Sequence, residues 1–284
     1  MIHFVEYVLR GALAGAIYAL LAAPMSLLFA TARTIDFAVG AYALIAAAVA
    51  ATIGGIAGAE AGLAAAMLSA AIMSLIFVGL KRLGCEDGIV FALASFGLSA
   101  VIESFVLWYW GARSFIVSYV AASWSLGGIR LDQQGLFNLL IAAIVVVILH
   151  VVVRHSSLGR MMRASAVNAV GATLAAIPVE GLQMGVYLAG GLLAGLAGLL
   201  VLYSAGIDFT APLGLTLSGF GAAIVFGVGS PLRCLFGGIA MGVAQALASG
   251  YLSEALSAMT PFLFILLVLS MRPADTEALA GGRP

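Results

Sequence analysis

Three acidic residues, Asp36, Glu103 and Asp208, lie within or beside apolar runs of this 284-residue chain. Ionisable groups at membrane depth are costly to desolvate, which makes them candidates for an ion, proton or ammonium contact. Glu103 lies near 10 Å below the Trp108-Tyr109-Trp110 cluster, at about 1.5 Å per residue. As a functional group it would meet a substrate ammonium or form a gate; as a structural one it would snorkel to the interface or pair with Arg113. Asp36 and Asp208 stand at run ends, where the structural alternative is a solvated cap. Gly227 and Gly229, in Phe226-Gly227-Val228-Gly229-Ser230-Pro231, form a sharp turn whose backbone could line a passage.

Other chemistries lack their residues. A P-loop places a lysine on phosphates, and the single lysine here, Lys81, is followed by Arg82. Cys85 and Cys234 lack C-x-x-C spacing, and His3, His150 and His155 lack H-E-x-x-H, so neither a metal site nor a cofactor is expected. No G-x-S-x-G elbow is present. Ser99 with a distant His150 or His155 is the nearest approach to a hydrolase dyad, and a packing serine fits Ser99 better. No catalytic residue is expected.

The elements that carry these residues must lie in a membrane. The chain is 64% hydrophobic and 8% charged, with 12 Lys+Arg against 12 Asp+Glu, whereas soluble domains carry roughly a quarter charged residues. Zero net charge leaves no basic field for nucleic acid. A helix crosses about 30 Å of hydrocarbon in about 20 residues. Nine runs approach that length: 11–30, 37–55, 61–80, 88–110, 136–153, 182–204, 213–229, 234–252 and 255–271. The second, seventh and ninth are short or interrupted, and any of them could be re-entrant or broken. The expectation is an all-α polytopic membrane protein of eight or nine transmembrane or re-entrant helices, with residues 1–284 forming one transmembrane domain.

Arginine placement orients it. With nine spans and the C-terminus inside, Arg33, Lys81, Arg82, Arg154, Arg160, Arg163, Arg233, Arg272 and Arg283 fall inside, and Arg10, Arg113 and Arg130 outside. An outer loop, about 111–135, is long enough to cover a pore mouth. An inner loop, about 154–180, reads as an amphipathic helix with an N-cap at Ser156 or Ser157, apolar positions at Leu158, Met162, Val167, Val170 and Leu174, and a break at Pro178. The run 11–30 leads to Ile35-Asp36-Phe37, and the run 183–202 to Ile207-Asp208-Phe209, both at an offset of 172. This suits an inverted repeat, although three residues in an Ala-rich chain also coincide by chance.

Four stretches together resemble the permease of branched-chain amino acid ABC importers, the LivH-like family with its urea- and amide-transporting relatives. They are Gly15-Ala16-Ile17-Tyr18-Ala19-Leu20 leading to Ile35-Asp36-Phe37-Ala38-Val39-Gly40, where the family usually reads N-F-A-H-G; Ser157-Leu158-Gly159-Arg160-Met161-Met162-Arg163-Ala164-Ser165-Ala166, close to G-R-x-x-R-A-x-A; Ala194-Gly195-Leu196-Ala197-Gly198; and Gly227-Val228-Gly229-Ser230 with the terminal Met271-Arg272-Pro273. The resemblance implies half of an importer pore in a bacterial inner membrane. Beside it would stand a second permease, two cytoplasmic ATPases, an extracytoplasmic solute-binding protein and membrane lipid. It also implies that Gly159, Arg160, Arg163, Ala164 and Ala166 belong to a helix docking on the ATPase. Asp36 and Val39 depart from the family's Asn and His. The alternative from another class is an autonomous secondary transporter or channel using Asp36, Asp208 and Glu103.

Overall fold

The computed structural model describes residues 2–85, 87–117, 123–126, 129–252 and 254–271. Each apolar run of the sequence becomes a helix. The long ones are α1 (Ile2–Ala32), α3 (Gly55–Arg82), α4 (Gly88–Trp110), α5 (Gln133–His155), α8 (Val179–Ser204) and α10 (Pro231–Tyr251). These six are long and apolar enough to cross a membrane. The three weak runs give the shorter helices α2 (Val39–Ile53), α9 (Ala211–Val225) and α11 (Glu254–Met271). At 15 residues, α2 and α9 each extend about 22 Å, too short for a full crossing. The segment expected as an inner loop holds two helices, α6 (Ser157–Val167) and α7 (Ala169–Leu174), and the one expected as an outer loop holds an antiparallel hairpin of β1 (Ser123–Leu126) and β2 (Ile129–Asp132). Tyr119, Arg272 and Arg283 lie outside the described residues.

The offset of 172 is structural. It separates the ends of α1 and α8, both tripeptides, and the starts and ends of α2 and α9. Packing repeats with it: α1 lies on α10 as α8 lies on α3, α1 on α9 as α8 on α2, and α2 on α4 as α9 on α11. α1 and α8 are antiparallel, since Pro24 meets Gly190 near one end and Arg10 and Ser204 share a cavity near the other. Two inverted units, α1–α4 and α8–α11, therefore flank the inserted α5–α7.

Close approach of these helices depends on absent side chains. A Cβ on Gly198 would lie 2.1 Å from the Ala43 carbonyl oxygen, and one on Gly191 2.5 Å from Ala70 Cβ. Across α1 and α10, a Cβ on Gly15 would lie 2.4 Å from Gly238 O and one on Gly242 2.2 Å from Gly11 O. Lipid supplies little hydrophobic drive between helices, so such small-residue contacts carry the packing. The tightest core surrounds α2, whose Val39 to Ala48 are all buried.

Candidate functional site

The site begins where α1 stops. Arg33 takes φ 54, a left-handed conformation that turns the chain back into the bundle. The returning segment carries Asp36 to a position only 5% exposed. Its Oδ1 accepts from the Ala38 N–H at 2.8 Å and its Oδ2 from the Tyr42 hydroxyl at 3.0 Å. A helix start leaves N–H groups without intrahelical partners, and at α2 these find partners from other helices. The Phe37 N–H donates to Ser95 Oγ on α4 at 2.9 Å, and the Gly40 N–H to Thr216 Oγ1 on α9 at 3.0 Å.

The second unit repeats the device. Asp208 Oδ1 accepts from the Thr210 N–H at 2.9 Å and from its hydroxyl at 2.6 Å. Both acids thus brace the start of a short helix, Asp36 inside the bundle and Asp208 half-exposed. Gly40 and Pro212 are equivalent by the repeat and touch: a Cβ on Gly40 would lie 2.1 Å from Pro212 O. The N-terminal turns of α2 and α9 therefore meet on the pseudo-twofold axis. The shared tripeptide thereby gains a physical reason.

Beneath the Asp36 turn lies a vestibule of about 230 Å³ lined by polar groups including Arg33, Thr34, Lys81, Ser165 and Gln183. Lys81 Nζ donates to Gln183 Oε1 at 3.3 Å and stands 5.6 Å from the Phe77 ring centre. One wall is α6 itself, whose Ser165 hydroxyl reaches the Thr31 carbonyl at 3.2 Å.

Local rules build α6. Ser156 caps it by accepting from the Gly159 N–H at 3.2 Å, and a Cβ on Gly159 would collide with the Val153 carbonyl at 1.9 Å. The Arg163 guanidinium donates to that same carbonyl at the end of α5, where a cation also favours the helix dipole. Met162 and Ser165 face the bundle, while Arg160, Arg163, Ala164 and Val167 share one exposed face. Of the predicted docking residues, Gly159 is thus an elbow, Arg163 a strap between α5 and α6, and Ala166 part of the vestibule wall. The expected single helix breaks at Asn168, which caps α7 through the Gly171 N–H at 2.9 Å. Val167, Val170 and Leu174, apolar positions of the expected helix, are exposed in the chain by itself.

At the opposite end, α1, α5, α8 and α9 enclose about 720 Å³ bordered by Arg10, Tyr18, Asn138 and Ser204. Tyr18 donates to Gln245 Oε1 at 2.5 Å, and the buried Asn138 accepts from Gln134 at 3.1 Å. Sequence reasoning missed this polar set, although a tyrosine and an asparagine inside apolar runs were its visible signal.

The remaining sequence candidates are scattered. Glu103 accepts from the Ser99 hydroxyl one helical turn away at 2.8 Å, while Arg113 instead stands 5.2 Å from the Phe115 ring centre. Ser99 has an acidic partner, and His150 Nδ1 lies 3.5 Å from Ser230 Oγ. Gly227, at φ 89, makes the turn between α9 and α10, a conformation that L side chains rarely adopt. Gly229 has open space where a Cβ would stand. The structure brings neither glycine to Asp36 or Glu103.

Paired inverted units, two short helices meeting head to head and a polar vestibule under an amphipathic helix define a polytopic membrane transport protein. The chain belongs to the family described as the branched-chain amino acid transport system / permease component, whose model matches residues 7–271. It is similar to the high-affinity branched-chain amino acid transport system permease protein LivH of Salmonella typhimurium and that of Escherichia coli K12, each 23% identical over 96% of this chain and 94% of the relative. The corresponding BraD protein of Pseudomonas aeruginosa is 22% identical over 95% of this chain and 94% of its own.

Proposed function

We propose that the chain is one permease half of an ABC importer in a bacterial inner membrane, moving branched-chain or related small amino acids or amides. Two separate ATPases drive it from the α6 side, a second permease completes the pore, and an extracytoplasmic binding protein delivers solute. The observation that carries this reading is α6. It offers Arg160, Ala164 and Val167 on one exposed face and holds Thr31 through Ser165 on the other. A helix laid in a partner's groove can relay closure of that partner as a rigid shift. Here the shift would pass from Thr31 through the Arg33 turn to Asp36 and the start of α2. Arg33, Lys81, Arg82, Arg154, Arg160 and Arg163 gather on this side, which supports its being cytoplasmic. Membrane vesicles from the native host test the reading: Ala164→Trp should abolish ATP-driven leucine uptake while the protein stays inserted. Uptake that survives this change would refute docking through α6.

The inverted repeat favours a second reading, an autonomous carrier alternating about the α2/α9 contact. Asp36 and Asp208 then would bind ions. Against it, both carboxylates already brace helix starts.

A further inference from the structure

Beside α6, helices α5, α6 and α8 enclose a pocket of about 410 Å³ in which every lining residue is apolar, among them Leu27, Leu149, Val153, Met161, Leu182 and Gly185. The size falls within the about 300–1,000 Å³ typical of ligand sites. Its opening is made by glycine. A Cβ on Gly185 would meet nothing within 4 Å, and one on Gly181 only Pro178 Cβ at 4.0 Å. The repeat gives the comparison. At the offset of 172, Gly181 and Gly185 correspond to Leu9 and Leu13, and the Leu13 side chain stands against Gly135 of α5, where an added Cβ would lie 3.1 Å from Leu13 Cδ1. On α8 no side chain stands at Gly181 or Gly185, and the hole beside them lies between two helices apolar enough to span a membrane.

We infer that this pocket seats an acyl chain of an anionic phospholipid from the leaflet on the α6 side. A helix, about 10–12 Å across with its side chains, does not fit a space walled by α5, α6, α8 and α1, whereas an acyl chain does. The rim is basic. Arg154 follows directly on the lining residues Val152 and Val153, is exposed, and its guanidinium has no hydrogen bond or ion pair among the described residues. Glu180, next to lining residue Gly181, is held by Arg82 at 3.6 Å. An unpaired guanidinium one residue beyond an apolar slot suits a phosphate headgroup whose tail lies in that slot. The site touches α6 through Leu158, Met161 and Met162, so the bound lipid would brace that helix from its membrane side.

The test uses the full chain in nanodiscs of equal phosphatidylglycerol and phosphatidylethanolamine, released into detergent and examined by native mass spectrometry. The wild type should retain a phospholipid, enriched several-fold in phosphatidylglycerol. Gly185→Leu and Gly181→Leu should each lose the retained lipid while eluting as folded protein. Arg154→Gln should keep the lipid but lose the preference for phosphatidylglycerol. Retention by both glycine variants equal to wild type, no headgroup preference in the wild type, or a protein in place of lipid on this face would overturn the proposal. None of these readouts depends on ATPases or transport, so failure here leaves the importer reading standing.

Discussion

The Ser165 hydroxyl of α6 shares its proton between the Met162 carbonyl of its own helix at 2.8 Å and the Thr31 carbonyl at 3.2 Å, joining a surface helix to the last turn of the first spanning helix across 134 residues of sequence. One residue beyond that turn the backbone enters the left-handed region at Arg33, and three further on Asp36 anchors α2. Displacement of α6 therefore has a short mechanical path into the bundle.

Ser165→Ala should destabilise the protein by about 1–3 kcal/mol, since the Thr31 carbonyl in the last turn of α1 has no intrahelical donor and lies buried. It should lower the uptake obtained per ATP hydrolysed. Parallel assays of hydrolysis and leucine uptake in reconstituted vesicles measure that ratio, and an unchanged ratio would remove this link from the path.

Arg163 and Arg160 should separate by phenotype. Arg163 ties α6 to Val153, whereas the Arg160 guanidinium has no partner among the described residues. Arg163→Ala should lower the melting temperature in detergent, in keeping with the about 1.5–3 kcal/mol of a hydrogen bond to a charged group. Arg160→Ala should leave melting unchanged and weaken only ATPase association.

Asp36 is accounted for as a brace, so the carboxamide that the family usually carries there should serve. Asp36→Asn should keep the bond from the Ala38 N–H and retain uptake. Asp36→Ala should cost about 1–3 kcal/mol, since it leaves the buried Ala38 N–H and Tyr42 hydroxyl without this acceptor. Loss of uptake in Asp36→Asn with unchanged melting would instead assign the charge itself to transport.

The Gly40–Pro212 contact should be intolerant of a methyl group. Gly40→Ala forces backbone apart at the axis and should destabilise by about 1–3 kcal/mol. Gly97→Ala, with open space around its Cβ, should be neutral or stabilise by up to about 1 kcal/mol through helix propensity. Thermal unfolding of the two variants side by side distinguishes them.

Much of this architecture is legible in the sequence because a membrane writes it in apolar run lengths. The interrupted runs at 37–55 and 213–229 became the short helices, and the Ile-Asp-Phe tripeptides marked the repeat. Ser156 was visible as a cap because capping is local. The partners of the α2 start were not, since Thr216 lies 176 residues from Gly40 and Ser95 58 from Phe37. Nor was the strap by Arg163, because reach across an elbow depends on the angle between two helices. The break at Asn168 lay in plain view as a capping residue, but the apolar spacing from Leu158 to Leu174 ran through it and suggested a single helix.

The most direct measurement purifies the tagged chain from its native membrane in mild detergent, with Ala164→Trp purified in parallel, and identifies what accompanies each. A P-loop ATPase and a second permease should come with the wild type, and the ATPase alone should be missing from the variant. A chain that purifies by itself and moves leucine into liposomes without ATP would contradict the account.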